Sequence, residues 1–173
     1  LTILTGTPQL MDYMNDLQIE FDWQDPFGAK GEELRATWAS LSIVIDDNPV
    51  TELLDRKTKS VRSSLFLPLF PLAEWIADNW WFLQSEAEGP DNSRGIEFDR
   101  RHNFRWAREG FVLPSLRFVT LGENVAAQWQ PLDIPDAAIR FLSSGNAVLP
   151  ARIFSEKLRA FVNAVIARLE ESG

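Results

Sequence analysis

The segment SLRFVTLGENVAAQWQP, residues 115–131, decides the fold because it contains two alternating runs joined by a turn. Apolar and polar side chains alternate in each run, as in a β-strand with one buried face. Gly122 and Asn124 suit the backbone angles of a tight reversal, which predicts a three-residue turn at GEN. A hairpin places its two strands antiparallel, so this segment predicts an antiparallel sheet.

Three further segments predict strands. LQIEFDW at 17–23 alternates strictly, and LRATWASLSIVID at 34–46 continues the β pattern until the turn-forming DDNP. These two segments are expected to pair as a hairpin with a long loop. AIRFL at 138–142 predicts a short strand before a turn at SSGN, and the polar, basic stretch at 56–64 predicts an exposed connection or an edge strand.

Three segments predict helices. PLFPLAEWIADNWWFLQSE at 68–86 has one apolar stripe, and EFDRRHNFRWARE at 97–109 is charged. Pro150 is expected to open a final helix whose stripe either caps the core or pairs with a second copy, as a homodimer. The layout predicts an α+β fold, an antiparallel sheet of hairpins packed with about three helices. We expect residues 1–173 to be one domain, a fragment or N-terminal domain of a longer protein.

Composition excludes several functional classes. The formal net charge of -8 disfavours nucleic acid and anionic membranes as partners. The absence of cysteine removes disulfides and thiolate chemistry and fits a cytoplasmic protein, while a single histidine excludes a multi-histidine metal site. No apolar run is long enough to span a membrane. No cofactor and no metal are therefore predicted.

The segment 68–86 supplies the candidate partner-binding residues. Trp80 and Trp81 are adjacent, so their side chains point roughly 100° apart on a helix and at most one lies at the centre of the stripe. Tryptophan is a frequent interface anchor, but an indole also fills a core well. Core filling is the favoured interpretation of the helix as a whole. Trp81 and Phe82 of this segment, together with Trp106 of the segment 97–109, are the residues predicted to contact a protein partner.

The segment 97–109 supplies a candidate anion site. Arg101, Arg105 and Arg108 recur at helical spacing, and three guanidinium groups on one face can hold a phosphate or an acidic partner. A solvated helix face balanced by Glu97, Asp99 and Glu109 is the favoured interpretation, and the anion site is the alternative to it. His102 is interpreted as structural or exposed, because it has no predicted metal partner.

Catalytic motifs are absent from the sequence. It has no nucleophile elbow, phosphate-binding loop, dinucleotide fingerprint or zinc-protease motif. The acidic pairs Asp46/Asp47 and Glu170/Glu171 are interpreted as turn chemistry and as a solvated helix end. We therefore predict that the chain is not an enzyme.

The chain contains three blocks in order: LPLFPLAEWIADNWWFLQSE at 67–86, the aromatic and basic HNFRWAREGFVLPSLRFVTLGENV at 102–125, and RFLSSGNAVLPARIFSEKLRAFVNAVIARLE at 140–170. This order resembles an N-terminal region of bacterial ImmA/IrrE-type metallopeptidase proteins, and PLAEW followed by NWW is its most specific part. The resemblance covers roughly residues 40–171. Two features depart from it: Gly110 stands where a glycine run is expected, and Phe70 precedes Pro71 in place of a tyrosine. The peptidase signature is missing, so no metal ligands are carried over.

The resemblance implies an accessory or regulatory domain in prokaryotic stress or phage-defence proteins. The leading prediction is therefore a non-catalytic protein-interaction domain in the cytoplasm, which contacts a protein partner or an adjacent domain of the same chain. The alternative is a small-molecule or nucleotide sensor whose pocket lies between the tryptophan-rich helix and the hairpin and whose arginine stripe holds a phosphate. A hydrolase using only carboxylates is a third and weaker prediction.

Overall fold

A computed structural model describes residues 16–26, 34–85, 95–98, 102, 113–132 and 138–172. In these residues the fold is α+β, with antiparallel sheets and helices packed on them, as the sequence predicts. None of the described helices is both long and apolar enough to cross a lipid bilayer.

The first sheet is built on β2 (Trp38–Ile45), which pairs with β1 (Leu17–Trp23), β3 (Asn48–Pro49) and β6 (Leu65–Pro68). Strands β1 and β2 form the predicted hairpin, with Leu17 opposite Ile45 and Trp23 opposite Ala39. A 3₁₀ helix (Arg35–Thr37) replaces the start of the predicted second strand.

The turn between β2 and β3 lies at Asp46 and Asp47, inside the predicted DDNP turn. Both residues have positive φ angles, 49° and 61°. The Asn48 side-chain amide donates to the carbonyl of Asp46 at 2.7 Å, which braces this reversal. The acidic pair therefore has turn geometry, as predicted from its position before Asn48 and Pro49.

A small second sheet has β4 (Leu53–Asp55) at its centre, between β10 (Ile139–Phe141) and β5 (Val61–Arg62). Strand β10 is the strand predicted at AIRFL. Strand β5 is the edge strand that the basic stretch predicted, and it is joined to β4 by an exposed turn.

The third sheet has the order β11–β9–β8–β7, with β7 at Ile96–Phe98, β8 at Ser115–Leu121, β9 at Asn124–Gln130 and β11 at Gly145–Pro150. The predicted hairpin at 115–131 is confirmed, but Leu121 faces Asn124. The turn is therefore the two residues Gly122 and Glu123, not the three predicted. The sequence prediction missed β11 and placed its first two residues in a turn.

The helical prediction for 97–109 is wrong at its start, because Glu97 and Phe98 belong to β7. Phe98 faces Leu116 of β8, and Gly95 begins the segment with a φ of 92°. Three alternating residues are too few to reveal a strand when a charged, helix-spaced pattern follows. His102 has helical geometry, and the other residues of 99–112 lie outside the described ones.

The helices are α1 (Phe70–Asp78), α2 (Trp80–Gln84) and α3 (Ala151–Ser172). The single helix predicted at 68–86 is interrupted at Asn79, whose side-chain amide donates to the carbonyl of Trp75 at 2.9 Å. Helix α3 begins one residue after Pro150, which is the last residue of β11.

The apolar stripe of α3 caps the core. Phe154, Leu158, Phe161 and Val165 are buried, whereas Ile166 is 48% exposed. The stripe contacts both the first and the third sheet. The ring of Phe161 packs edge-on against that of Phe21 in β1 with centroids 5.7 Å apart, and the centroids of Phe154 and Phe118 in β8 are 4.9 Å apart.

Candidate functional site

Trp75 lies in the core. It is 6% exposed, and its ring meets Phe98 edge-on at 5.4 Å and Phe118 at 6.5 Å. Aromatic rings in these orientations add to the free energy gained by burial. The tryptophan-rich helix therefore joins the third sheet through Trp75, which agrees with the core interpretation of this residue.

His102 belongs to the same aromatic cluster. Its ring stacks on Phe98 with centroids 5.1 Å apart and meets Trp75 edge-on at 6.0 Å. These contacts give the only histidine of the chain a packing role. This placement agrees with the structural interpretation of His102.

Trp80 and Trp81 separate as the helical geometry requires. Trp80 is partly buried, and the guanidinium of Arg159 on α3 lies 5.8 Å from its ring centroid. The side chain of Gln84 accepts a hydrogen bond from Ser155 Oγ, which also ties α2 to α3. Trp81 points away from these contacts and is 70% exposed.

The other predicted site residues have different placements. Phe82 is half-buried and packs against the core, so it offers only part of its ring to a partner. Trp106 and the predicted anion site, Arg101, Arg105 and Arg108, lie outside the described residues. Trp81 is thus the predicted contact residue that the described part of the structure leaves most exposed.

The space between the tryptophan-rich helix and the hairpin, where a ligand pocket was predicted, contains direct contacts. Trp75 meets Phe118 there, and Thr120 Oγ1 donates to the carbonyl of Leu83 at 3.0 Å. A groove of about 250 Å³ instead lies on the third sheet, along the side chains that alternate with Phe118 and point to its other face.

Polar side chains from four strands line this groove. The strand register places Glu97, Arg117, Gln128 and Asn146 in one row across the sheet. Ser115, which is buried, donates its hydroxyl to Glu97 Oε1 at 2.6 Å. Carboxylate, guanidinium and amide groups together can bind a small polar molecule that both donates and accepts hydrogen bonds.

Sequence reasoning missed this groove because its residues are separated along the chain. A signal existed in Arg117 and Gln128, the outward-facing polar residues of the predicted hairpin. Their alignment with Glu97 and Asn146 depends on β7 and β11, which the sequence did not reveal. Within the described residues no three His, Cys, Asp or Glu side chains lie close enough together to hold a metal ion.

Asp55 has a shifted pKa that is explained by the turn after β4. Its Oδ1 accepts the backbone N–H groups of Thr58 at 3.1 Å and Lys57 at 2.9 Å, and its Oδ2 accepts Arg62 Nη2 at 3.2 Å. These donors favour the ionised carboxylate, so the pKa of Asp55 lies below its usual 3.8. The carboxylate thus holds the turn in place.

Comparisons with protein-family models, with curated protein sequences and with solved structures found no match to this chain. The family resemblance inferred from the sequence stays a prediction.

The two helical tryptophans should differ sharply in their contribution to stability. Trp75→Ala should lower the free energy of unfolding by about 3–5 kcal/mol, because it leaves a cavity among Phe98 and Phe118. Trp81→Ala should change that free energy by less than about 0.5 kcal/mol, because the indole is largely solvated. Urea denaturation measures both values, and a comparable loss in the two variants would place Trp81 in the core.

Asp55→Asn should make stability less dependent on pH under acidic conditions. A depressed pKa in the folded state means that the ionised carboxylate stabilises the fold above its unfolded pKa of about 3.8, and that this stabilisation is lost as pH falls through the folded pKa. The melting temperature of the wild type should exceed that of Asp55→Asn at neutral pH, and the gap should close in acid. Asp78→Asn, at an exposed helix end, controls for removal of a carboxylate. A gap that persists unchanged in strong acid would contradict this role.

Proposed function

We propose that this chain is a non-catalytic protein-interaction domain that binds its partner through the surface around Trp81. The observation that carries the proposal is the exposed indole of Trp81 on a helix whose neighbouring residues are fixed. Trp80 packs beneath Arg159, and Leu83 is buried. Rotating the helix to bring Trp81 inward would break the contact of Trp80 with Arg159 and expose Leu83.

A rigid, exposed tryptophan suits partner binding on physical grounds. Covering an indole removes a large apolar area from water, and the ring loses little conformational freedom because its helix is already ordered. Tryptophan is accordingly enriched among the residues that dominate interface energetics. Phe82 lies next in sequence, about 100° round the helix, and its half-buried ring packs against the core.

The biological setting is part of the proposal and comes from the sequence. The resemblance of the segments around 71–81 and 151–171 to ImmA/IrrE-type proteins implies regulation in a prokaryotic stress or phage-defence protein in the cytoplasm. The non-catalytic character rests on the missing motifs of the full sequence. The partner is a separate protein or another domain of the same chain.

Site-specific photo-crosslinking in cells tests this proposal. We expect a protein bearing p-benzoylphenylalanine at position 81 to form a crosslinked adduct that mass spectrometry resolves into this chain and one partner. The matched control carries the same group at Ile166, which is 48% exposed on α3. Absence of any adduct from position 81, or the same adducts from both positions, would contradict a partner surface at Trp81. An adduct between two copies from position 166 would instead indicate a homodimer through α3.

The groove on the third sheet favours a second candidate function, the sensing of a small polar ligand such as a nucleotide. Arg117 supplies a cation, and Gln128 and Asn146 supply amides that can pair with a base or a hydroxyl group.

Tryptophan fluorescence tests sensing because Trp129 borders the groove, where its Nε1 donates to Ser143 Oγ at 2.9 Å. Under the sensing hypothesis a nucleotide should change the emission of the wild type, and Arg117→Ala should remove the change. Gln18→Ala, on the first sheet, is the control variant. A flat titration with every nucleotide would contradict the hypothesis.

A further inference from the structure

The turn between β4 and β5 concentrates positive charge in an acidic chain. The basic hairpin, as we name it, comprises five exposed cationic side chains: Arg56, Lys57, Lys59, Arg62 and, on the adjoining strand β10, Arg140. It holds five of the 17 lysine and arginine residues of a chain whose formal net charge is -8. The residues outside the hairpin are therefore strongly acidic, and the hairpin stands out as a local positive field.

Within the described part of the chain, a single carboxylate pairs with the cations of the basic hairpin. Among the described residues, the pair of Arg62 with Asp55 at 3.2 Å is the ion pair that the basic hairpin forms. Asp55 is also occupied by the N–H groups of Lys57 and Thr58, so it shapes the turn and is not available to the remaining cations. The side chains of Arg56, Lys57, Lys59 and Arg140 consequently face solvent.

An apolar side chain, Val61, shares a face of the second sheet with Arg140, whereas Arg62 lies opposite Leu53 and belongs to the other face. The register places Arg140, Leu54 and Val61 in one row across the second sheet. Phe141 and Leu53 alternate with that row and are buried, so the row of Arg140 and Val61 faces outward. Val61 is 58% exposed, on an edge strand whose outer side pairs with no other strand in the described residues.

We propose that the basic hairpin binds an acidic peptide segment of a protein partner, one that carries apolar side chains between its carboxylates. Cationic side chains attract the carboxylates, and Val61 supplies an apolar contact that a phosphate backbone would not use. A short peptide also stays within the positive field. A nucleic acid would extend beyond it, over the acidic remainder of the chain, and be repelled there.

This surface and Trp81 belong to different elements, the second sheet and α2. The inference goes beyond the proposed function by giving a partner chemistry that does not depend on the indole. The two proposals can fail independently: Trp81→Ala should leave binding to the basic hairpin unchanged.

Fluorescence anisotropy with a labelled peptide of alternating glutamate and valine, at low ionic strength, tests the inference. Lys57→Glu/Lys59→Glu should weaken binding by about tenfold or more, since two attractive contacts become repulsive. Arg152→Glu/Lys157→Glu changes the net charge equally on the exposed surface of α3 and should have little effect. Val61→Ser should weaken the alternating peptide but not a glutamate-only peptide.

Three results would overturn the inference. The first is that the wild type does not bind the peptide. The second is that the α3 control variant loses as much affinity as the hairpin variant. The third is that a single-stranded DNA oligonucleotide binds the hairpin more tightly than the peptide does. The last result would make a nucleic acid the occupant. Urea denaturation checks that each variant folds, and Lys57→Gln/Lys59→Gln supplies a milder substitution with the same expected direction.

Discussion

The packing of Trp75 against Phe98 and Phe118 is the contact on which the rest of this fold depends. It joins α1, which follows directly from the first sheet, to β7 and β8 of the third sheet. Among the described residues, the other aromatic contacts that link the first sheet to the third are those of α3, through Phe161 with Phe21 and Phe154 with Phe118. His102 closes the cluster by stacking on Phe98. The position of α2, and with it the exposure of Trp81, follows from where Trp75 anchors the preceding helix.

Helix α3 is the second element that joins the two halves. Near its start Ser155 and Arg159 contact α2, and near its end Arg168 donates to the carbonyl of Ala36 at 3.1 Å and lies 5.6 Å from the ring centroid of Trp23. One helix of 22 residues therefore fixes both the tryptophan-rich helix and the β1–β2 hairpin. The apolar stripe of α3 is buried in the core, and Ile166 is the large apolar residue of this helix that remains exposed.

Three surfaces formed by the described residues are proposed for recognition, and they differ in chemistry. The Trp81 surface is apolar, the groove on the third sheet is polar with amides and one arginine, and the basic hairpin is cationic. Affinity for a protein partner would come chiefly from covering the indole, whereas the cations would steer an acidic segment and set its orientation. This division would let one partner use two surfaces at once, with the hairpin contributing mainly to the rate of association.

Sequence alone determined the features that depend on local periodicity. Strict alternation revealed β1 and the β8–β9 hairpin, and helical spacing revealed α1 and α3, because one face of each element must be buried. The 100° step between neighbouring helical residues was enough to separate Trp80 from Trp81. The tertiary structure decided the features that depend on pairing between distant segments. These are strand β7, which precedes a charged segment with helical spacing, the edge strand β11, and the row from Glu97 to Asn146 that lines the groove. A strand of three residues has too little pattern of its own. Strand β7 is defined by its pairing with β8, in which Ile96 lies opposite Phe118 and Phe98 opposite Leu116.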